Sequence, residues 1–176
     1  MSYQKITATD PNTIRFYYAQ DTIFDHVSLL SMQRAKRIID EKTGEDQTDE
    51  YGITLDERDL FKKLLDNAAT QIFLLIRKMV NSVDPAFDSD EGESTSDDTT
   101  DDYIEFWIRD NDAYNEADLE LVDKLVQECL IMYTLFDWYT IIGLTEEAQK
   151  YLSRYNNTKK DLVTKALYKL KIRNIS

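Results

Sequence analysis

Apolar residues return at helical spacing in four stretches of this chain. In the first, Ile23, Phe24, Val27, Leu30, Ala35, Ile38 and Ile39 predict a helix from Asp21 to about Glu41, ending in the polar run Lys42–Gly52. Thr54 with Glu57 three residues on has the form of a capping box. Behind it Leu60, Phe61, Leu64, Leu65, Ala68, Ile72, Phe73, Leu75, Ile76, Met79 and Val80 predict a second helix over roughly 55–82. Its end is apolar nearly all round (Ile72–Ile76), which predicts a central position. The third helix, Ala117–Ile142, carries Leu121, Val122, Leu125, Val126, Cys129, Leu130, Met132, Tyr133, Phe136 and Tyr139 on one broad face. Gly143 is placed to cap it, and Thr145 opens a fourth helix with Glu146 and Glu147 in its first turn. So short a connection makes these two helices antiparallel neighbours. The fourth keeps phase through Ala148, Tyr151, Tyr155, Leu162, Ala166, Leu167 and Leu170, with a weak point expected at Asn156–Thr158.

Two stretches fall outside the helical pattern. Tyr103–Arg109 alternates, with Ile104, Phe106 and Ile108 on one side, and predicts a short strand. Residues 1–20 are ambiguous: Asp10-Pro11 suits a helix start, while Ile14–Tyr18 suits an extended chain, and the segment is assigned to an arm. The expected fold is therefore mainly α, a small bundle of about four helices with one short strand or extended segment. The domain scheme is an N-terminal arm 1–20, a bundle 21–170 containing an acidic loop 84–102, and a basic C-terminal arm 171–176.

Charge changes this picture most. The chain of 176 residues has a net charge of −13, distributed in blocks: −2 over residues 1–83, −9 over 84–102, −9 over 103–149 and +7 over 150–176. From Asp84 to Asp102 there are nine acids and no base, a composition that reads as a flexible acidic loop. A strongly negative middle and a positive end suit contact with further copies, or with a partner of fixed polarity, in one orientation. The overall acidity argues against non-specific nucleic-acid binding by the whole chain. Four Gly and two Pro favour long helices over a turn-rich β fold. One cysteine excludes an internal disulfide and points to a reducing compartment. The N-terminal residues lack a signal-peptide pattern, and the apolar run Cys129–Ile142 is short of the roughly 20 residues a bilayer requires.

Candidate chemistry is sparse. Asp88-Ser-Asp90-Glu-Gly92-Glu93 misplaces the glycine and the last ligand of a calcium loop, with Thr99 at the twelfth position. His26 is the single histidine, so no histidine-based dyad or metal cluster forms within one chain. Cys129 sits on an apolar face beside Glu128, the setting of a core residue and not of a nucleophile. The four glycines are isolated, so there is no phosphate-binding loop. No catalytic, cofactor or metal site is assigned, and the chain reads as a non-enzyme. Among the aromatics, Tyr133, Trp138 and Tyr139 suit a core. Tyr103, Trp107, Tyr114, Tyr151 and Tyr155 lie beside charges, as interface anchors do.

The order of segments over residues 53–173 resembles a known family. Glu57-Arg-Asp-Leu-Phe-Lys-Lys-Leu-Leu65 leads into an apolar helix, and Tyr103–Arg109 is extended. A long helix then ends in Phe136-Asp-Trp138 and Gly143, before Tyr151-Leu-Ser-Arg-Tyr155 and the closing Ala166-Leu-Tyr-Lys-Leu-Lys-Ile-Arg173. This pattern is similar to the neck proteins of tailed bacteriophages, the head–tail connector, adaptor or ring proteins, particularly in phages of gut Bacteroides-type hosts. The first 50 residues and the acidic stretch depart from it. The resemblance implies a virion structural protein made in the host cytoplasm. It would form a ring, expected at twelve subunits, between portal and tail, and bind the portal and other neck or tail proteins. Contact with packaged DNA would be at most passive, and there would be no membrane partner. Expected interface residues are Asp97, Asp98, Asp101, Asp102, Trp107, Lys165, Lys169, Lys171 and Arg173. The alternative is a cytosolic helical module that docks a basic partner through its acidic loop. An enzyme using carboxylate chemistry would be a third class, and no residue pattern supports it.

Overall fold

The computed structural model describes residues 3–6, 13–42, 51–80, 82–83, 103–110 and 114–173; for 6, 38–42, 82–83 and 172–173 it describes the backbone alone. The fold is mainly α, as the periodicity predicts, with a small antiparallel sheet at one end. In chain order the elements are β1 (Tyr3–Ile6), β2 (Thr13–Ala19), α1 (Gln20–Lys42), a 3-10 turn (Leu55–Glu57), α2 (Arg58–Met79), β3 (Ser82–Val83), β4 (Tyr103–Arg109), α3 (Glu116–Ile141) and α4 (Thr145–Asp161). A π-helical stretch (Leu162–Leu167) joins α4 to the short α5 (Tyr168–Arg173).

The strand predicted at Tyr103–Arg109 is β4, and its alternation is borne out: Ile104, Phe106 and Ile108 are buried, while Tyr103 and Arg109 are exposed. It pairs with β2, which lies within the segment assigned above to an arm. Residues 3–6 and 13–19 belong to the sheet, whose strand order is β1-β2-β4-β3. The correction has a simple cause. Ile14, Phe16 and Tyr18 also alternate, and they stand opposite Ile108, Phe106 and Ile104 across the pairing. Burying both rows together removes about a strand face each from water, which neither strand could do alone. Tyr3 of β1 extends the same layer, its ring 5.7 Å from that of Phe16.

The sheet's inner face rests on the helices. Phe106 meets Phe73 of α2 in a stacked pair 6.4 Å apart and Tyr18 edge-on at 6.0 Å. The Tyr18 hydroxyl donates to the backbone carbonyl of Asp123 in α3, at 3.4 Å. The central element is α3 and not the end of α2, where Leu74 stays 45% exposed. Leu119, Val122, Val126, Cys129, Leu130, Leu135 and Tyr139 of α3 are buried against α1, α2 and α4.

Local signals hold the helix ends. The Thr54–Glu57 capping box forms, with the Thr54 N–H donating to Glu57 Oε2 at 2.8 Å. Asn115 caps α3 by accepting from the Asp118 N–H at 2.8 Å. At the other end of α3, Gly143 takes φ of 77°, while the Leu144 N–H donates to the Tyr139 carbonyl and the Gly143 N–H to that of Thr140. This is the Schellman arrangement, which reverses the chain so that α4 runs back along α3. Ile53 is fastened to α1: its N–H donates to Ser31 Oγ at 2.9 Å and its carbonyl accepts from Ser28 Oγ at 2.7 Å.

The weak point of the fourth helix lies four residues later than expected. Asn156–Thr158 is regular helix, and Leu162–Leu167 widens into π geometry. Leu162, Ala166, Leu167 and Leu170 are all buried there, and the i→i+5 turn keeps Leu162 and Leu167 on one face. Lys171 and Arg173 continue as helix, so residues 171–173 are not an arm; 174–176 lie outside the described residues. The acidic stretch 84–102 also lies outside them.

Phe106→Ala should destabilise the protein by about 3–5 kcal/mol in urea denaturation, because a ring at 2% exposure leaves a cavity shared by the sheet and α2.

Candidate interaction site: a basic groove and an aromatic sheet face

Two surfaces concentrate charge and aromatic rings. The first is a groove of about 220 Å³ between α1 and α4. Helical spacing builds it: Leu30, Arg34 and Arg37 lie along one face of α1, and Glu147, Lys150, Tyr151 and Arg154 along the facing stripe of α4. Four cations therefore surround one carboxylate. Glu147 is only 6% exposed; it accepts from the Arg34 guanidinium and from Lys150 Nζ, the latter at 2.7 Å. Burial alone would raise its pKa, but those two donors hold its carboxyl below the ordinary glutamate range. Arg154 lies over the Tyr151 ring, 5.7 Å from its centroid, and Tyr151 stacks on Tyr139 at 5.3 Å. Burial raises the pKa of both phenols, and the Tyr139 hydroxyl has no hydrogen-bond partner among the described residues. Glu147 can balance part of the charge of Arg34 and Lys150. Arg37 and Arg154 give the groove its surplus of positive charge.

The second surface is the open face of the sheet. Arg15 on β2 stands directly opposite Trp107 on β4. Its guanidinium lies 5.4 Å from the Tyr17 ring centroid and 5.8 Å from that of Trp107, and it pairs with Glu105. Trp107 Nε1–H donates to Glu105 Oε2 at 3.1 Å, and Tyr17 meets Tyr103 edge-on at 6.0 Å. Cation–π contacts of this kind contribute about 0.5–1 kcal/mol each at exposed sites. Arg15 and Glu105 balance each other's charge within this ladder.

These positions sort the expected interface residues. Trp107 is half-buried on the open sheet face. Lys165 pairs with Asp161 at 2.8 Å, and Lys169 stands 3.7 Å from buried Asp118. Two of the four basic candidates thus already face an acid of their own chain. Lys171 is exposed on α5. Asp97, Asp98, Asp101 and Asp102 lie outside the described residues, as does the side chain of Arg173. Tyr114, Tyr151 and Tyr155, expected at an interface, are buried, at 5%, 7% and 4% exposure. The residues that sequence reading missed are Arg34, Arg37, Lys150 and Arg154. Their only signal was the i, i+3 and i, i+4 spacing of bases on two helices that nothing local connects.

Among the described residues, no group of three or more His, Cys, Asp or Glu is placed to hold a metal, and no helix is long and apolar enough to cross a membrane. Cys129 is fully buried in α3, and burial, with the Glu128 charge beside it, pushes its thiol up to about 12. No protein-family model, curated protein or solved structure matches the chain.

Two outcomes follow from these environments. Glu147 is held ionised in the folded state, so its contribution is complete above about pH 4.5 and is lost as pH falls through its lowered folded value. Glu147→Gln should cost about 1–2 kcal/mol at neutral pH, and its deficit against the parent should shrink in denaturation series taken below pH 4. Cys129 should resist a disulfide reagent at pH 8 in the folded protein and react at once in denaturant, as read by thiolate release.

Proposed function

We propose that the protein is a structural subunit of a tailed-phage neck, assembling head-to-tail into a ring between portal and tail. One observation carries this reading: the basic groove lies well along α1 from the sheet positions between which the acidic stretch is tethered. The −9 stretch leaves the sheet after Val83 and re-enters at Tyr103, which pairs with Ala19 immediately before α1. The basic groove lies 14 to 17 residues further along α1, at Arg34 and Arg37, about 20–25 Å away at the helical rise. A body that carries unlike charge at separate positions favours heterologous contacts, which close into rings when the rotation allows. The sequence likeness to neck proteins supports the same reading, and so does a helical body whose charge is carried in separated blocks. The subunit would act by binding its neighbours and the portal, with DNA passing as a like-charged polymer.

Mass measurement tests this. The protein alone, and mixed with any portal protein encoded near its own gene, should be weighed by light scattering at about 50 mM and about 500 mM NaCl. A ring-sized species on the portal at low salt, weakened at high salt, is expected. The reading is wrong if the protein stays monomeric with the portal at both salt concentrations, or if no portal gene lies nearby. Capture of a basic cytosolic partner by that monomer would favour a binding module instead.

A further inference from the structure

We propose that the groove between α1 and α4 is a receptor for clustered carboxylates, and that its occupant is the acidic stretch 84–102 of a second copy. This rests on the head-to-tail reading and names the contact that would make it. Recognition would come from Arg34, Arg37, Lys150 and Arg154, with the Tyr151 ring as an apolar wall. Guanidinium groups take carboxylates bidentately, so two arginines on α1 and one on α4 suit adjacent acids such as Asp97-Asp98 and Asp101-Asp102.

Three features select this occupant. The groove keeps a net positive charge even after Glu147 is counted, on a protein whose total is −13. Its floor is nevertheless a carboxylate, Glu147, which disfavours a long phosphate backbone lying across it. The third feature is reach. The stretch is tethered to the sheet at both ends, so its midpoint can stand no more than about 30 Å from its tethers at full extension. Asp97 and Asp98, six and five residues before Tyr103, reach no more than about 20 Å from that tether, and Asp101 and Asp102 no more than about 7 Å, so they fall short of their own groove, about 20–25 Å away along α1. A neighbouring copy presents the same groove without that constraint.

Two complementary variants test the contact in trans. Arg37→Glu/Arg154→Glu destroys the groove and keeps the acidic stretch. Asp97→Asn/Asp98→Asn/Asp101→Asn/Asp102→Asn weakens the stretch and keeps the groove. Both sets lie at exposed or surface-facing positions on α1 and α4, or outside the described fold, and circular dichroism melts should match the parent. At about 50 mM NaCl each variant alone should remain monomeric, and an equimolar mixture should form a one-to-one pair that dissociates at about 500 mM. In parallel, a fluorescent peptide of residues 84–102 should bind the asparagine variant saturably, and at least about tenfold more weakly to the groove variant. Lys165→Glu should leave peptide binding unchanged.

An absent pair in the mixture, or equal peptide binding by both variants, overturns the proposal. So does stronger competition by duplex DNA than by unlabelled peptide, which would make the groove a phosphate site. Ring formation on the portal by the groove variant would overturn this contact and leave the neck reading standing. Pairing and peptide binding with no portal association would keep the groove and remove the neck reading.

Discussion

The pairing of β2 with β4 sets Ile14, Phe16 and Tyr18 opposite Ile108, Phe106 and Ile104, and a slip of one residue would turn the three of one strand toward solvent. Hydrophobic burial therefore specifies this register strongly. It joins two parts of the chain some 90 residues apart and leads straight into α1, with no loop between Ala19 and Gln20. The position of the first helix, and hence of everything along it, is inherited from that pairing. So is the point at which the acidic stretch is tethered, since Tyr103 pairs with Ala19.

The helical body translates this anchor into a charge pattern. On the sheet's open face, Arg15 and Glu105 neutralise each other among aromatic rings. At the C-terminal end, Asp161 and Asp118 engage Lys165 and Lys169. In the α1–α4 groove, by contrast, a single buried carboxylate engages two of four bases. Glu147 orders Arg34 and Lys150, and Arg37 and Arg154 extend the positive surface around them. Blocks of charge that look equivalent in the sequence are thus unequal in space, because some already meet an opposite charge within the fold.

Much of the secondary structure was legible because its causes are local. Thr54 and Glu57 cap within one turn, Gly143 takes the positive φ that ends α3, and β4 alternates with period two. The arm assignment failed because Ile14–Tyr18 gains its burial only from β4, far along the chain. The central role of α3 was likewise hidden. Helix 2 has a continuous apolar run at Ile72–Ile76, yet Leu74 remains exposed, and the number of neighbours a helix acquires depends on the topology and not on its own stripe. Tyr151 and Tyr155 were misjudged for a related reason. They are adjacent to charges in sequence, and their rings turn toward Tyr139 and Tyr133 on α3.

The sequence by itself determined the helical class, the positions of the caps and breaks, and the segregation of charge into blocks, since each follows from residues a few positions apart. Only the tertiary structure decided which charges meet. Arg34 and Glu147 are 113 residues apart and belong to helices that no short connection joins; they become neighbours because α1 and α4 both lie on α3. The distance between the basic groove and the tether of the acidic stretch is a property of that packing. It exists because apolar faces, which carry no charge, determine where the charged ones are held.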